Sequence, residues 1–120
     1  MTRIIAFLIA AFLVAVLASA TPALAQWPER PVKVIVPYGA GGAADTMART
    51  FAEVLSAALG KQFFVENRPG GGSVTGSREA ARSAPDGYTF ALAGMSTHVL
   101  APAMNKNAGF DPVRDFTQVA

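Results

Sequence analysis

Apolar residues along this chain change their spacing at successive turn signals, and the changes mark out alternating strands and helices. Val32-Lys33-Val34-Ile35-Val36 is short, β-branched and almost wholly apolar, the pattern of a buried strand in a parallel sheet. Pro37 ends it, because proline offers no N–H to a ladder. Tyr38-Gly39-Ala40-Gly41-Gly42-Ala43-Ala44 follows, and its glycines let the backbone turn sharply and approach a ligand closely. The period then becomes helical. Met47, Phe51, Val54, Leu55, Ala58 and Leu59 fall on one face, and Gly60 stands where a C′ glycine closes a helix. Asp45 or its neighbourhood supplies the N-cap signal, with Ala43 and Ala44 as alternative members of the first turn.

The same reading continues downstream. Trp27-Pro28-Glu29-Arg30-Pro31 is an extended lead-in, since each proline disfavours helix in the residue before it. Residues 62–66 predict a second strand, 67–73 a glycine-rich loop, and about 74–82 a shorter helix. A Pro-Asp-Gly turn at 85–87 leads to a third strand over 88–93, an exit loop at 94–98 and the start of a helix over 99–104. Residues 111–115 predict a turn, and 116–120 a fourth strand. Strand–helix–strand–helix–strand is an α/β arrangement with a parallel sheet and right-handed crossovers. Ligands of such sheets bind beyond the carboxyl ends of the strands. With strand order 2-1-3, the first and third of these loops face one crevice.

The first 25 residues change the picture. Arg3, the apolar run over residues 4–18 and the small-x-small site Ala23-Leu24-Ala25 form a secretory signal peptide. The run is shorter than the roughly 20 residues of a bilayer-spanning helix, which argues against a membrane anchor. The expected domains are therefore a leader over 1–25 and a mature, exported, soluble part over 26–120. The leader inflates the hydrophobic fraction of 52% and the mean hydropathy of +0.34. Without Arg3, nine basic residues face eight acidic ones. No basic stripe points to nucleic acid. The absence of cysteine excludes disulfides, thiolate catalysis and cysteine metal sites.

The chemistry centres on the turn before the long helix. A helix start leaves N–H groups without partners and carries the positive end of the macrodipole. Behind bare glycines those donors can surround a carboxylate or phosphate; the alternative is a tight strand-to-helix turn with no ligand. Ser96, Thr97 and His98 read as hydrogen-bonding groups at a strand end rather than as a catalytic set. His98 is the only histidine, and Gly94-Met95-Ser96-Thr97-His98 lacks the last glycine of a nucleophile elbow. Asp86 reads as a turn residue, Glu53 and Glu79 as solvated helix positions, and Arg68 as a residue able to pair with an anion. A G-K-[ST] sequence is missing, so an ATP-type phosphate loop is excluded. Gly39-x-Gly41-x-x-Ala44, with Glu66 at the end of the second strand, fits a relaxed dinucleotide fingerprint and keeps an oxidoreductase reading open. Pro37 and Tyr38 crowd that turn and count against it.

Linked motifs then resemble a known family. Pro28-x-Arg30-Pro31-Val32-Lys33-Val34-Ile35-Val36-Pro37-Tyr38-x-Ala40-Gly41-Gly42-x-x-Asp45-x-x-Ala48-Arg49 is similar to the opening of mature tripartite tricarboxylate transporter substrate-binding proteins, the Bug (TctC-type) family. Val65-Glu66-Asn67-Arg68-Pro69-Gly70, Gly76, Ser83-x-Pro85-Asp86-Gly87-Tyr88-Thr89 and Asp111-Pro112-Val113-Arg114-Asp115-Phe116 continue the match in order. The resemblance implies a periplasmic binding protein of the type II-like, two-lobed class, of which this chain is a truncated part of the first, parallel-sheet lobe. It implies capture of a small organic anion, usually a carboxylate, for a membrane permease, with no enzymatic activity and no cofactor. By position it implicates Tyr38, Ala40, Gly41, Gly42 and Asp45 from the first loop, with Asp45 ordering the loop rather than touching the anion. Ser73 and Val74 come from the second loop, and Ser96, Thr97 and His98 from the third. The chain departs from the family at Ala101-Pro102, where Asn-Pro is frequent, at Asn105, where tyrosine is frequent, and at Ser73, where a further glycine is common.

Overall fold

A computed structural model describes residues 26–119; the expected leader and its cleavage point lie outside the described residues. β1 (Val32–Val36) is the central strand, flanked by β2 (Phe63–Asn67) and β3 (Thr89–Ala91) in the order β2-β1-β3, with both pairings parallel. Val32 lies opposite Phe63, and Val34 lies opposite both Val65 and Phe90. The central position explains the composition of β1: Val32, Ile35 and Val36 are completely buried. Successive crossovers run in opposite directions across the sheet, which for right-handed connections places the two helices on opposite faces.

α1 (Ala43–Leu59) crosses from β1 to β2 and ends where expected. Gly60 is left-handed (φ 68°) and donates its N–H to the Ser56 carbonyl at 3.0 Å. The buried face of α1 is not its apolar stripe. Asp45, Ala48 and Ala52 lie against the sheet, whereas Met47, Phe51 and Val54 are 47, 59 and 59% exposed. The helical period holds, and the apolar stripe it marks is not the buried face: two alanines let the helix lie close to the strands while Met47, Phe51 and Val54 point away. One core cluster joins Val32, Ala52 and Phe63, with Val34, Val65, Tyr88 and Phe90 packed on it.

α2 (Val74–Ala81) follows a tight turn over Gly71–Ser73 and returns the chain to β3. Gly76 lets it sit directly on the exit of β1: a Cβ there would come within 2.9 Å of Pro37 and 2.8 Å of the Arg68 carbonyl. Charge also holds α2 in place. Lys33 bridges Glu66 and Glu79 at 3.4 and 3.5 Å, and Arg68 pairs with Glu66 and, at 3.1 Å, with Glu79. Glu79 is thus an ion-pair partner rather than a solvated helix position, and the anion that Arg68 meets belongs to the protein itself.

After β3 the expected exit loop is helical instead. Met95–Leu100 forms a wide, π-type turn that runs into α3 (Ala101–Met104). Val74, Ala101 and Ala108 make a second small core with Phe110. The expected fourth strand is absent among the described residues: 116–119 pair with no strand, and Phe116 packs on His98 and Phe110 at centroid distances of 4.6 and 5.9 Å. A run becomes a strand only where the chain carries it alongside a sheet edge, and here the aromatic ring of Phe116 is drawn into a side-chain cluster instead. At the opposite end of the sheet, Trp27 in the lead-in packs on Phe63, Tyr88 and Phe90. No helix among the described residues is long and apolar enough to cross a membrane.

Candidate functional site

The strand order places three loops side by side beyond the carboxyl ends of the strands. The Tyr38 hydroxyl meets Ser96 Oγ at 2.5 Å, a contact that ties the first loop to the third. The Gly71–Ser73 turn packs against the Met95–Leu100 turn, which brings in the second. Gly41 and Gly72 have positive φ angles of 84° and 64°, and a Cβ built on either meets nothing within 4 Å. These loops therefore present bare backbone to open space, which is what a small ligand contacting main-chain groups requires.

α1 begins in this space. Gly42 is its N-cap, extended at φ −82° and ψ 172°, and no side chain caps the helix. The N–H groups of Ala43 and Ala44 find no acceptor among the described residues, so the positive end of a 17-residue helix is left open. Asp45 is the third helical residue, not the cap, and it reaches backwards. Its carboxylate accepts the Gly41 N–H at 2.8 Å, Asn67 Nδ2 at 2.9 Å and Arg49 Nε at 3.0 Å. Asn67 Nδ2 also donates to the Tyr38 carbonyl at 3.2 Å, and Arg49 donates to Asn67 Oδ1 at 3.0 Å. The network ties the loop to β2 and to its own helix. Arg49, with the Gly41 and Asn67 N–H groups, holds Asp45 down at about 2, against an ordinary 3.8. The cradle is consequently narrower than the sequence reading: the Gly41 amide is already engaged, and the open donors begin after it.

The remaining sequence-derived positions divide. Ala40 is exposed in the first loop, and Ser96 is exposed with its hydroxyl at Tyr38. Ser73 is 8% exposed at the start of α2. The Val74 side chain belongs to the second core, which leaves only its backbone to face a ligand. Thr97 is fully buried; its Oγ1 accepts the Gly94 N–H at 2.8 Å and lies 3.1 Å from His98 Nδ1, so it shapes the third loop from inside. The His98 ring packs between Phe110 and Phe116, and burial lowers its pKa below the ordinary 6.5. A shallow hollow of about 340 Å³ borders Gly94, His98, Pro112 and Val113 and includes no residue of Tyr38–Asp45 in its lining. A larger one, about 600 Å³, lies by Glu29 and Gly60 at the opposite end of the sheet. Neither includes the open helix start, which is one face of a crevice rather than a closed pocket.

Sequence reasoning misses Arg49 and Asn67 as parts of the site. The Asp45–Arg49 spacing of four residues is a usable signal, since such pairs meet on a helix; the Asn67 link is long-range and carries no local signature. Glu66, which the dinucleotide reading needs free for a ribose, is engaged by Lys33 and Arg68. Among the described residues, no group of three His, Asp or Glu side chains is placed to hold a metal ion.

Comparison with known proteins agrees with the parallel α/β fold and gives no support to the oxidoreductase alternative. The family model described as "Tripartite tricarboxylate transporter family receptor" matches residues 47–120. A UPF0065 protein of Bordetella bronchiseptica is 42% identical over 94 residues, covering 78% of this chain and 28% of the relative. The structure of periplasmic binding protein BugD is 43% identical with a TM-score of 0.67, covering 75% of this chain and 30% of that one. MatC of Rhodopseudomonas palustris, solved with bound malate, is 35% identical with a TM-score of 0.71, covering 76% and 31%. The chain therefore spans about 30% of the length of the proteins it matches.

Proposed function

Since the chain belongs to the tripartite tricarboxylate transporter receptor (TctC) family, we propose that it supplies one wall of a carboxylate-binding cleft in an exported solute-binding protein. The observation that carries the reading is the uncapped start of α1, where the Ala43 and Ala44 N–H groups stand open behind Gly42. Backbone amides at a helix start suit a carboxylate because they add positive potential without a competing side-chain charge. Asp45 fits this role despite its own charge, because Arg49 offsets it and its oxygens are taken by Arg49, Asn67 and the Gly41 N–H. Tyr38 and Ser96 add hydroxyls beside the cradle, while Ser73 and the Val74 backbone complete the second loop. Thr97 and His98 act through loop shape. The similarity to MatC, solved with bound malate, supports a dicarboxylate as ligand.

The wider reading rests on family membership: a leader removed after Ala25, periplasmic residence, no catalysis, and delivery of the captured anion to a membrane permease. One wall binds weakly, since affinity for a small solute depends on enclosing most of its surface. Titration calorimetry with malate on the full-length protein that carries this sequence tests the reading, using Gly42→Val. Gly42 has an ordinary negative φ, and a Cβ placed on it meets nothing closer than 3.9 Å, so the fold accepts the side chain while the cradle is filled. The expected result is at least tenfold weaker binding with the thermal midpoint nearly unchanged. Unaltered binding by the variant contradicts the assignment.

A further inference from the structure

Side chains, not the backbone, hold the first loop in place. No backbone–backbone hydrogen bond among the described residues involves residues 38–41. The loop is fixed by Asn67 Nδ2 on the Tyr38 carbonyl at 3.2 Å, by the Asp45 carboxylate on the Gly41 N–H at 2.8 Å, and by the Tyr38 hydroxyl on Ser96. Of these anchors only Asn67 stands on the sheet. It is the last residue of β2, opposite Val36 at the end of β1, and the next amide, Arg68 N–H, is bonded to the Val36 carbonyl at 2.8 Å. Every polar atom of its side chain is engaged. Nδ2 faces two acceptors, the Tyr38 carbonyl and Asp45 Oδ1 at 2.9 Å, while Oδ1 accepts Arg49 Nη2 at 3.0 Å. A carboxylate here has no proton for Tyr38 or Asp45, and an ammonium has no oxygen for Arg49. The amide meets all three partners and adds no charge beside the uncapped helix start.

Resting on the carboxylate-binding role of that helix start, we infer that Asn67 is its positioning residue. Asn67 touches the loop and not the ligand. Anchored at the end of β2, it holds the Tyr38 carbonyl and the Asp45 carboxylate, and Asp45 in turn holds Gly41. The Ala43 and Ala44 amides are thereby set before an anion arrives, and a loop fixed beforehand has less freedom to lose on binding. The charged groups at the Asn67 side chain are Asp45 and Arg49, both on α1. Its chain neighbours Glu66 and Arg68 are taken up by Lys33 of β1 and Glu79 of α2.

The test is malate calorimetry on the full-length protein at pH 7.5 and 5.5, with a thermal melt showing that each form is folded at the assay temperature. Each variant is compared with the parent at the same pH, so the titration of malate itself cancels. Asn67→Asp keeps the shape but sets a second carboxylate against Asp45, and such a pair takes up a shared proton as pH falls. That proton restores a donor between them and removes the added charge. Loss of a hydrogen bond to a charged group is worth about tenfold or more. The expected result is that Asn67→Asp binds malate at least tenfold more weakly than the parent at pH 7.5, with the deficit narrowing at least threefold at pH 5.5. Asn67→Ala, which gains no titrating group, should show the same deficit at both. A role confined to folding lowers the melting temperature and leaves the affinity of the folded variants at the parent's value. Parent-like binding by Asn67→Asp at both pH values overturns the inference and leaves the carboxylate reading intact. So does an equal deficit at both, because the contact with Asp45 is then not what matters. Should Asn67→Asp not fold at pH 7.5, the exchanged pair Asp45→Asn/Asn67→Asp decides, since it keeps one carboxylate and one amide in contact. It should bind more tightly than Asn67→Ala, and equal or weaker binding overturns the inference. If the parent binds no malate, the carboxylate reading and the inference fall together.

Discussion

Asp45 and His98 show how burial and partners decide a residue's work. Asp45 stands beside the helix start proposed as an anion cradle, with its charge engaged by Arg49, Asn67 and the Gly41 N–H. Asp45→Ala leaves those three donors without their common acceptor, and we expect lower stability together with weaker malate binding. The pH dependence has a defined sign. A carboxyl lowered from 3.8 to about 2 contributes stability that is present above 3.8 and lost as pH falls towards 2. The difference in thermal midpoint between parent and Asp45→Ala should therefore shrink over that window; a constant difference contradicts the network. His98 also loses stability on acidification, through burial rather than through partners. Its pKa is lowered by burial among Phe110 and Phe116, so the unfolded chain takes up the proton first. Stability should fall as pH drops below 6.5, and His98→Gln should lose that part of the dependence in urea titrations at pH 7.5 and 5.5.

The strands and helices differ in how plainly the sequence announces them. β1 is legible because a central parallel strand is apolar on both faces and ends at a proline, and the Gly60 terminus of α1 is legible from glycine's tolerance of the left-handed conformation. The inward face of α1 is not. Periodicity marks the apolar stripe, but here Ala48 and Ala52 make the contact with the sheet, and small residues leave a faint signal. The run at 116–119 resembles a strand for its apolar, β-branched composition, and only the tertiary surroundings decide whether an edge is free for it. At the site, the glycine turn is visible, whereas the capture of Gly41 by Asp45 and the long-range tie to Asn67 depend on three-dimensional packing. The seating of α2 can be checked directly. Gly76→Ala forces a methyl into Pro37 and the Arg68 carbonyl, and overpacking of this kind costs about 1–3 kcal/mol. Urea denaturation should show it, and an unchanged midpoint means that α2 does not sit on β1 this closely.

Taken across the protein, α1 presents two distinct surfaces, an uncapped start that we propose as the anion site and an apolar outer face. Its start leaves the Ala43 and Ala44 amides open, and its outer face offers Met47, Phe51, Val54, Leu55 and Leu59 to solvent. A contiguous apolar surface of that kind is uncommon on a free-standing protein, and the matched relatives are about three times longer than this chain. The 120-residue chain by itself should bind an apolar fluorescent dye such as ANS, and Phe51→Glu should reduce the signal; equal signals from both forms contradict the exposure of this face. The open helix start is probed most sharply by amide-resolved NMR of the full-length protein during a malate titration. The backbone N–H resonances of Ala43 and Ala44 should shift with saturation of the site, while that of Gly41, already bonded to Asp45, moves far less. Saturable malate binding that leaves the Ala43 and Ala44 resonances in place would contradict an anion cradle at this helix start.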